Sequence, residues 1–404
     1  MTNIKYLEQS LPVAPLKIAA LESCRGLGEK VNDHIVNFRK EAQTEILNSP
    51  LFANYHSDNF LIDCKCPRFG SGEAKGYIGE SIRGSDLFLM VDVCNYNLTY
   101  TVNGFQNHMS PDDHYQDLKR IISAAQGKAH RVSVIMPFLY ESRQHKRTSR
   151  ESLDCAMALQ ELTKMGVSNI ITFDAHDARV QNAIPRDGFE SVPCVYQFIK
   201  ALLRAEPDLQ VDNEHLMVIS PDEGGMGRAI QLTNYLGVDM GMFYKRRDYT
   251  RIVDGKNPIV AHEFLGTNVE GKDVIIIDDM ISSGDSILDV ARELKRRKAR
   301  KVYAAATFGL FTNGLAKFDA AYDQGIIDHI LTTNLVYQRP ELLSRPYYVN
   351  VDLSKYIALL IDNLNHNVSI HGLLNPTDRI NRILEKHRAA QAQKAAENNI
   401  SEEA

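Results

Sequence analysis

The stretch VIIIDDMISSGDS, at residues 274–286, decides the fold of this chain. Its first four residues are β-branched and predict a strand that is buried on both faces. Asp278 and Asp279 follow, at the point where such a strand should reach the surface. After a turn with two serines and a glycine, apolar residues recur at helical spacing and predict an amphipathic helix: Ile287, Leu288, Ala291 and Leu294.

A strand, a short hydroxyl- and glycine-containing turn and a helix N-terminus together predict a phosphate-binding site. Free backbone N–H groups and the helix dipole converge there on an anion. The neighbouring carboxylates could bind sugar hydroxyls or a magnesium ion, so the pattern favours a phosphorylated sugar with vicinal hydroxyls. The structural alternative is an ordinary turn between strand and helix, with a solvated aspartate pair.

The composition is that of a globular enzyme with about two domains. The chain has 404 residues, 44% of them hydrophobic and 24% charged. A net charge of −5 argues against general nucleic-acid binding. No apolar run reaches the roughly 18–20 residues of a membrane span, and the N-terminus has no apolar secretory core. Six cysteines without a disulfide framework favour the reducing cytoplasm, and Cys64 and Cys66 are expected to be structural thiols rather than metal ligands.

Strand-like and helix-like segments alternate along the chain, which predicts an α/β fold with mostly parallel sheets. Predicted strands lie at 16–22, 86–93, 131–138, 169–176, 215–222, 237–245, 273–279, 301–309 and 329–336. Predicted helices begin near 27 and lie at 112–127, 150–165 and 195–205.

The two halves share this rhythm, so we predict two similar domains, at 1–190 and 191–378, followed by a helix-prone tail at 379–404. Residues 38–60 and 95–114 interrupt the strand cadence. They are expected to be inserted loop or helical material.

Two further segments follow predicted strands and carry groups suited to phosphate or metal. SPDEGGMGRA (220–229) has two glycines that allow close backbone approach, and Asp222 could reach a metal or a hydroxyl. FDAHDARVQ (173–181) places His176 between Asp174 and Asp177, where a neutral imidazole could bind a metal. A structural turn and a structural histidine are the respective alternatives.

Two cationic segments are also candidates. PFLYESRQHKRTSR (137–150) contains Arg143 and Gln144, a pair that could bind a nucleotide polyphosphate and base, although such a run can also be a solvated face. YKRRDYTR (244–251) contains Lys245 and Arg247, and we expect it to form a long loop that closes over a transferring phosphoryl group.

Together these motifs, in order over about residues 16–373, resemble the ribose-phosphate diphosphokinase (PRPP synthetase) family. RFGSGEAKGYIGESIRGSDLFLM (68–90) is similar to the family's adenine-contacting hairpin. The segments at 220–229 and 274–286 are similar to its ribose-phosphate loops, and the segment at 244–251 is similar to its catalytic flexible loop. The resemblance implies two tandem type I phosphoribosyltransferase-like domains. It also implies transfer of the diphosphoryl group of Mg-ATP to O1 of ribose 5-phosphate, giving PRPP and AMP, in a cytoplasmic homo-oligomer.

The resemblance also implies roles for individual residues. Lys245 and Arg247 would be catalytic, and His176 and Asp222 would hold Mg²⁺. ATP would be bound by Phe69, Glu73, Arg143 and Gln144. Ribose 5-phosphate would be bound by Asp222, Asp278, Asp279, Ser282, Ser283, Gly284, Asp285 and Ser286.

The chain departs from the family pattern at Ser71, Ser282, Asp285 and Phe308 and at the two insertions. Ser71 leaves base selectivity open, and the insertions leave subunit contacts and regulation open. One alternative function is a phosphoribosyltransferase that consumes PRPP. Another is a noncatalytic regulatory relative with the same fold.

Overall fold

The computed structural model describes residues 10–41, 54–247 and 259–402, and describes the backbone alone at 245–247, 259–262, 395 and 398–402. The chain divides into two compact units. The first comprises Met1–Pro193, Asn334–Tyr337 and Asp352–Asn375, and the second comprises Cys194–Thr333, Gln338–Val351 and Pro376–Ala404.

The first unit is built on a five-stranded parallel sheet with strand order β1-β4-β7-β8-β9. Strand β4 is buried along its whole length, as its continuous apolar run predicts. The four predicted strands of this half are confirmed, whereas β9 was not predicted. The elements are β1 Leu16–Ala20, α1 Arg25–Glu41, β2 Cys64–Lys65, β3 Tyr77–Ile78, β4 Asp86–Met90, β5 Thr99–Val102, β6 Phe105–His108, α2 Pro111–Ala125, β7 Arg131–Ile135, α3 Asp154–Lys164, β8 Asn169–Phe173, β9 Gly188–Val192, α9 Ser354–Asn365 and α10 His371–Leu374.

The prediction of loop or helix for the inserted segment 95–114 is wrong for residues 99–108. These residues form an antiparallel hairpin, β5–β6, before α2 begins at Pro111. Asn103 and Gly104 form its two-residue turn with φ of 49° and 85°, values that this dipeptide adopts readily. Of the other insertion, residues 42–53 lie outside the described residues.

Helix α9 belongs to the first unit although the sequence assigned its residues to the C-terminal domain at 191–378. It packs on α1 through a buried ion pair, in which the Arg39 guanidinium donates to Asp362 Oδ1 at 2.9 and 3.0 Å. Arg39 Nη2 also donates to Asn365 Oδ1 at 2.7 Å. A buried charged group in the last turn of each helix is thus paired when the two helices pack together.

The second unit contains a seven-stranded sheet with order β12-β11-β10-β13-β14-β15-β16, parallel except for the β11–β12 pair. Its core joins the central strands to α6 and α7. The elements are α4 Val195–Ala205, β10 Leu216–Ser220, α5 Met226–Leu236, β11 Asp239–Arg247, β12 Ile259–Leu265, β13 Asp273–Ile281, α6 Asp285–Arg296, β14 Val302–Gly309, α7 Ala316–Asp323, β15 His329–Thr333, α8 Pro340–Leu343, β16 Tyr348–Val351 and α11 Thr377–Glu402.

The tail is helical, as predicted, and it docks on the second unit. His387 of α11 lies 2.8 Å from the Leu209 carbonyl oxygen through Nε2. Among the helices in the described part of the chain, none has both the length and the apolar character needed to cross a membrane.

Candidate active site

Strand β13, which carries the acidic pair, continues through Asp278 and Asp279 to Ile281. It is paired with β10 on one side and with β14 on the other. Asp279 is only 3% exposed, so the prediction that the whole pair reaches the surface is wrong. Asp278 is half-buried. The strand is longer than its apolar run because β14 pairs with it as far as Ile281.

Negative charge accumulates around Asp278. Burial, the adjacent Asp279 carboxylate and the Asp222 carboxylate together raise the pKa of Asp278 to about 8. The backbone N–H of Asp279 donates to Asp278 Oδ1 at 2.8 Å. Arg228 Nη2 lies 3.8 Å from Asp279 Oδ2 and supplies positive charge to the pair. With this pKa the Asp278 carboxyl group keeps its proton at neutral pH, and a nearby cation would favour the ionised form, which accepts hydrogen bonds from hydroxyls.

The turn after β13 has the strand–turn–helix geometry that the sequence predicts. Gly284 is the N-cap of α6 with φ of 86°, and a Cβ built on it would lie 2.1 Å from Phe318 Cζ. Only glycine fits this backbone without strain or displacement of Phe318. Gly284 has no side chain with which to cap the helix, and the N–H of Asp285 donates to Ser283 Oγ at 3.4 Å.

The loop after β10 lies at the same end of the sheet, because β10 pairs in parallel with β13 through Ile219 and Ile276. Asp222 Oδ1 accepts the backbone N–H groups of Gly224 at 2.9 Å and Gly225 at 3.2 Å. These two bonds to Oδ1 fix the position of the carboxylate. The second unit therefore brings Asp222, the acidic pair and the serine-rich turn together, as expected for the carboxyl ends of neighbouring parallel strands.

His176 lies in the first unit, after β8, with its side chain exposed. Its ring centroid is 5.3 Å from that of His145, which belongs to the arginine–glutamine segment. His145 Nε2 is 3.3 Å from Asp177 Oδ2, while the Arg179 guanidinium holds the pKa of Asp177 below its usual range. The two segments thus meet through side chains, a contact that the sequence did not predict.

Arg143 is exposed, and Gln144 is partly ordered by its own loop. Gln144 Nε2 donates to the carbonyl oxygens of Lys146 at 3.2 Å and Ser152 at 2.7 Å. The segment therefore exposes the guanidinium of Arg143 to solvent. Beside it lies the amide of Gln144, whose NH2 group is bonded within the loop. This disposition suits a ligand with phosphate and base groups.

Phe69 and Glu73 lie on a tight hairpin in the first unit. The Phe69 N–H donates to the Glu73 carbonyl oxygen at 2.7 Å, and Ser71 Oγ donates to Glu73 Oε2 at 2.8 Å. Phe69 is 54% exposed, which is unusual for so large an apolar side chain. An exposed aromatic ring beside a carboxylate could bind a heterocyclic base.

Lys245 and Arg247 belong to strand β11, opposite His262 and Ile259 of β12. The prediction that they lie in a long loop is therefore wrong for these two residues. The sequence did not predict the antiparallel partner strand, because its residues, IVAHEFL, belong to a connection that is polar as a whole. The side chains of Lys245 and Arg247, and all of Arg251, lie outside the described residues.

Within the described part of the chain, no three His, Cys, Asp or Glu side chains cluster closely enough to form a complete metal site by themselves. Cys64 Sγ donates to the Ala20 carbonyl oxygen and Cys66 Sγ to that of Asp117. Burial raises the pKa of the Cys64 thiol to about 11 and that of Cys66 to about 12. Both are neutral thiols bonded to backbone, which agrees with the structural role expected for them.

Two residues near these loops were missed at the level of sequence. Lys317 of α7 contacts Asp285 at the start of α6, and His145 contacts Asp177. Neither has a local sequence signal for its contact, because the partners are 32 residues apart in both cases.

Comparison with known families identifies both halves of the chain. Residues 16–166 match the N-terminal domain of ribose phosphate pyrophosphokinase, and residues 193–344 match the phosphoribosyl transferase domain.

Individual proteins with similarity cover most of the chain. A ribose-phosphate pyrophosphokinase from Vibrio cholerae is 27% identical over 321 residues, which are 78% of this chain and 92% of the relative. One from Mycoplasma genitalium is 29% identical over 278 residues, or 68% of this chain and 75% of the relative. The crystal structure of phosphoribosylpyrophosphate synthetase from Mycobacterium smegmatis superposes with a TM-score of 0.68 at 20% identity, covering 87% of this chain and 99% of that one. This structure shares the fold.

Proposed function

The chain belongs to the ribose-phosphate diphosphokinase (PRPP synthetase) family, and from that membership we propose how its loops carry out the transfer. The substrates are ATP and ribose 5-phosphate. The anomeric O1 of ribose 5-phosphate attacks the β-phosphorus of ATP. The bond from that phosphorus to the oxygen bridging it to the α-phosphorus breaks, AMP leaves, and O1 releases its proton. The products are PRPP and AMP.

The 5-phosphate of the sugar binds the turn Ser282, Ser283, Gly284, Asp285 and Ser286. Backbone N–H groups at the start of α6 and the serine hydroxyls are its donors. The tight packing of Gly284 on Phe318 supports this role, since it holds the turn in one conformation. A preformed turn binds an anion without having to be ordered first.

Asp278, Asp279 and Asp222 orient the ribose hydroxyls beside that phosphate. Their carboxylates lie at one end of the second unit's sheet, and Arg228 holds Asp279 from the other side. A sugar hydroxyl can donate to a carboxylate that has an unused oxygen. We expect these contacts to fix the direction in which O1 approaches phosphorus, and positioning is a major part of catalysis in such a transfer.

The nucleotide binds the first unit through Phe69, Glu73, Arg143 and Gln144. The exposed ring of Phe69 offers a stacking surface for the base, and the exposed Arg143 can pair with phosphate. Ser71, which replaces an aspartate of the family pattern, donates to Glu73 and so uses one of the carboxylate oxygens available to the nucleotide.

Lys245 and Arg247 neutralise charge on the transferring group and on the leaving AMP. Their position supports this role: both lie at the carboxyl end of β11, which pairs in parallel with β10, the strand that leads to the Asp222 loop. Fixed cations at a developing negative charge are typically the largest catalytic contribution in phosphoryl transfer.

The residues present fit a magnesium ion. Mg²⁺ usually keeps several waters and takes only one or two protein carboxylates besides substrate phosphates. A site without three clustered protein ligands is therefore compatible with it, and the negative charge around Asp278 favours a cation. His176 and Asp222 would hold the ion on the ATP phosphates, where it would reduce their charge.

We also infer a homo-oligomer. Two aromatic side chains of the first unit, Phe69 and Phe105, are 54% and 74% exposed in the isolated chain. Exposed rings at neighbouring hairpins are typical of surfaces that contact another subunit. Light scattering coupled to size exclusion would test this, and a monomeric mass at micromolar concentration would contradict it.

The convergence of the Asp222 loop and the acidic-pair loop at one end of the β10–β13 sheet is the observation that carries the proposed ribose-phosphate site. With Mg-ATP and ribose 5-phosphate, the purified protein should form AMP and PRPP in equal amounts. Release of ADP would point to transfer of a single phosphoryl group. Absence of turnover with all common nucleotides would favour a noncatalytic relative.

Lys245→Ala tests the catalytic assignment. We expect kcat to fall about 100- to 1,000-fold, with little change in ribose 5-phosphate affinity, because the lysine acts on charge that develops during transfer. Lys394→Ala is the matched control, since it removes an exposed lysine of the tail helix α11, where it pairs with Asp208. Normal turnover of Lys245→Ala would show that the assignment is wrong.

A further inference from the structure

The inserted hairpin, defined as residues 99–108, has no counterpart in the family pattern, yet it contacts the segment assigned to the nucleotide. It consists of β5 and β6 joined by Asn103 and Gly104. Its two ends meet, because the Met109 N–H donates to the Leu98 carbonyl oxygen at 2.8 Å. It is therefore a self-contained addition to the first unit.

The nucleotide hairpin, defined as residues 67–75, lies against this insertion. The Asn103 N–H donates to the Gly70 carbonyl oxygen at 3.0 Å. Gly72 packs so closely that a Cβ built on it would lie 2.9 Å from Val102 Cγ2 and 3.8 Å from Tyr100 Cε2. The turn of one hairpin is thus bonded to, and packed on, the turn of the other.

The base of the nucleotide hairpin is fixed by Arg68. Its guanidinium lies 4.9 Å from the centroid of the Tyr100 ring, a cation–π distance. The same guanidinium donates to both carboxylate oxygens of Asp117, at 2.6 and 2.9 Å. Arg68 is therefore held between the insertion and α2, and its side chain is only 10% exposed.

The nucleotide hairpin has two distinct faces. Arg68, Gly72 and Ala74 are half-buried, whereas Phe69, Gly70, Ser71 and Glu73 are exposed. The insertion packs on Arg68 and Gly72 and leaves Phe69 and Glu73, the two residues assigned to ATP, exposed.

We propose that the inserted hairpin braces the nucleotide hairpin in its binding conformation, so that Tyr100 and Val102 are positioning residues for ATP. This inference rests on the nucleotide role proposed for Phe69 and Glu73. A short exposed hairpin must lose conformational freedom when it binds a ligand. A brace on the opposite face removes that freedom in advance and strengthens binding without touching the ligand.

Excision of the insertion tests the brace. Residues 99–108 are replaced by Asn-Gly, which can close the hydrogen-bonded pair Leu98 and Met109 as a two-residue turn. The probe is the magnesium complex of α,β-methylene ATP, which cannot release AMP. We expect its Kd, measured by calorimetry, to rise at least 10-fold, while the Kd of ribose 5-phosphate changes less than 2-fold. Backbone amides of 69–74 should exchange hydrogen faster.

Point variants separate the brace from a general loss of structure. Tyr100→Ala should raise the KM for ATP with little change in kcat. Tyr100→Phe keeps the ring over Arg68 and loses only the hydroxyl contact with Asp113, so it should retain the wild-type KM. Gln106→Ala is the control within the insertion, since Gln106 bonds only across the hairpin to Thr99.

The outcomes distinguish failure of the brace from failure of the nucleotide role proposed for Phe69 and Glu73. An unchanged nucleotide Kd after excision would overturn the brace, as would equal weakening of both substrates together with a lower Tm. If Phe69→Ala weakens nucleotide binding but excision does not, only the brace fails. If Phe69→Ala has no effect on nucleotide binding, the assigned role of the nucleotide hairpin fails, and the brace for ATP fails with it.

Discussion

Lys317 Nζ lies 2.5 Å from Oδ1 of Asp285, the first residue of α6. This contact places a cation beside an acidic side chain that occupies the turn assigned to the sugar phosphate. The Lys317 ammonium and the Ser283 hydroxyl lower the pKa of Asp285, so its carboxylate is charged at neutral pH. The carboxylate would repel a phosphate dianion, and Lys317 offsets that repulsion.

We expect Lys317→Met to raise the KM for ribose 5-phosphate about 5-fold, because an ionic contact between exposed groups is worth up to about 1 kcal/mol. The KM for ATP should stay the same. Asp285→Asn alone should lower the KM for ribose 5-phosphate, and the double variant Lys317→Met/Asp285→Asn should return it to the wild-type value. Steady-state kinetics at low and high salt would measure this, since screening should shrink the difference. A double variant with the raised KM of Lys317→Met would show that Lys317 does not act by offsetting the charge of Asp285.

Gly284→Ala should nearly abolish use of ribose 5-phosphate. The new methyl group would meet the Phe318 ring at 2.1 Å in a backbone with φ of 86°. Displacement of the turn by about 1 Å can cost roughly 100-fold in rate, so kcat/KM for the sugar should fall by at least that factor.

The control for Gly284→Ala is Gly271→Ala. Gly271 also has a positive φ, of 77°, but a Cβ there meets nothing within 4 Å. It therefore carries the backbone strain of about 1 kcal/mol without the collision. Equal losses of kcat/KM in the two variants would mean that strain alone matters and that the contact of the turn with Phe318 does not.

The sequence predicted the second unit's site well because its signals are local. An apolar run, an acidic pair and a glycine turn occupy thirteen consecutive residues, 274–286, and the parallel pairing of β10 with β13 follows from the alternation of strands and helices. The burial of Asp279 could not be inferred in this way. It depends on β14, which pairs with β13 beyond the apolar run.

The inserted hairpin and the packing of α9 on α1 were not predicted from the sequence, for two different reasons. The inserted hairpin had a usable signal, Asn103-Gly104 between Tyr100–Val102 and Phe105, but its polar composition favoured a loop. The packing of α9 on α1 had none, because Arg39 and Asp362 are 323 residues apart. Ion pairs between such distant residues become visible only in the folded chain.

Asp92 should make the stability of the first unit depend on pH. It is 3% exposed, and burial raises its pKa to about 7, although the N–H groups of Cys94 and Tyr337 donate to its carboxylate. An unfolded aspartate ionises near pH 3.9. Between about pH 4 and 7 the native state thus binds more protons than the unfolded state, so the free energy of unfolding falls as pH rises and levels off above 7.

The size of the effect at Asp92 is on the order of 3–4 kcal/mol across that window. Asp92→Asn should flatten this part of the profile, measured by chemical denaturation from pH 4 to 8. Asp187→Asn, at an exposed aspartate of the same unit, should leave it unchanged. A wild-type stability that rises steadily over pH 4–7, with the same slope in Asp92→Asn, would show that Asp92 ionises normally.

The buried pair of Arg39 and Asp362 should hold α1 and α9 together, and its loss should be costly from either side. The two side chains are 2% and 1% exposed, and Asp362 Oδ2 has no hydrogen-bond partner among the described residues. Arg39→Met would leave the carboxylate buried without its partner, which typically costs about 3–5 kcal/mol. The double variant Arg39→Met/Asp362→Leu should be more stable than Arg39→Met, because it removes the orphaned charge.

Urea titration would measure the free energy of unfolding of the single and the double variant. Lys394→Ala, which breaks an exposed pair in the other unit, should cause no measurable change. A double variant less stable than Arg39→Met would mean that packing, and not the unpaired charge, sets the cost.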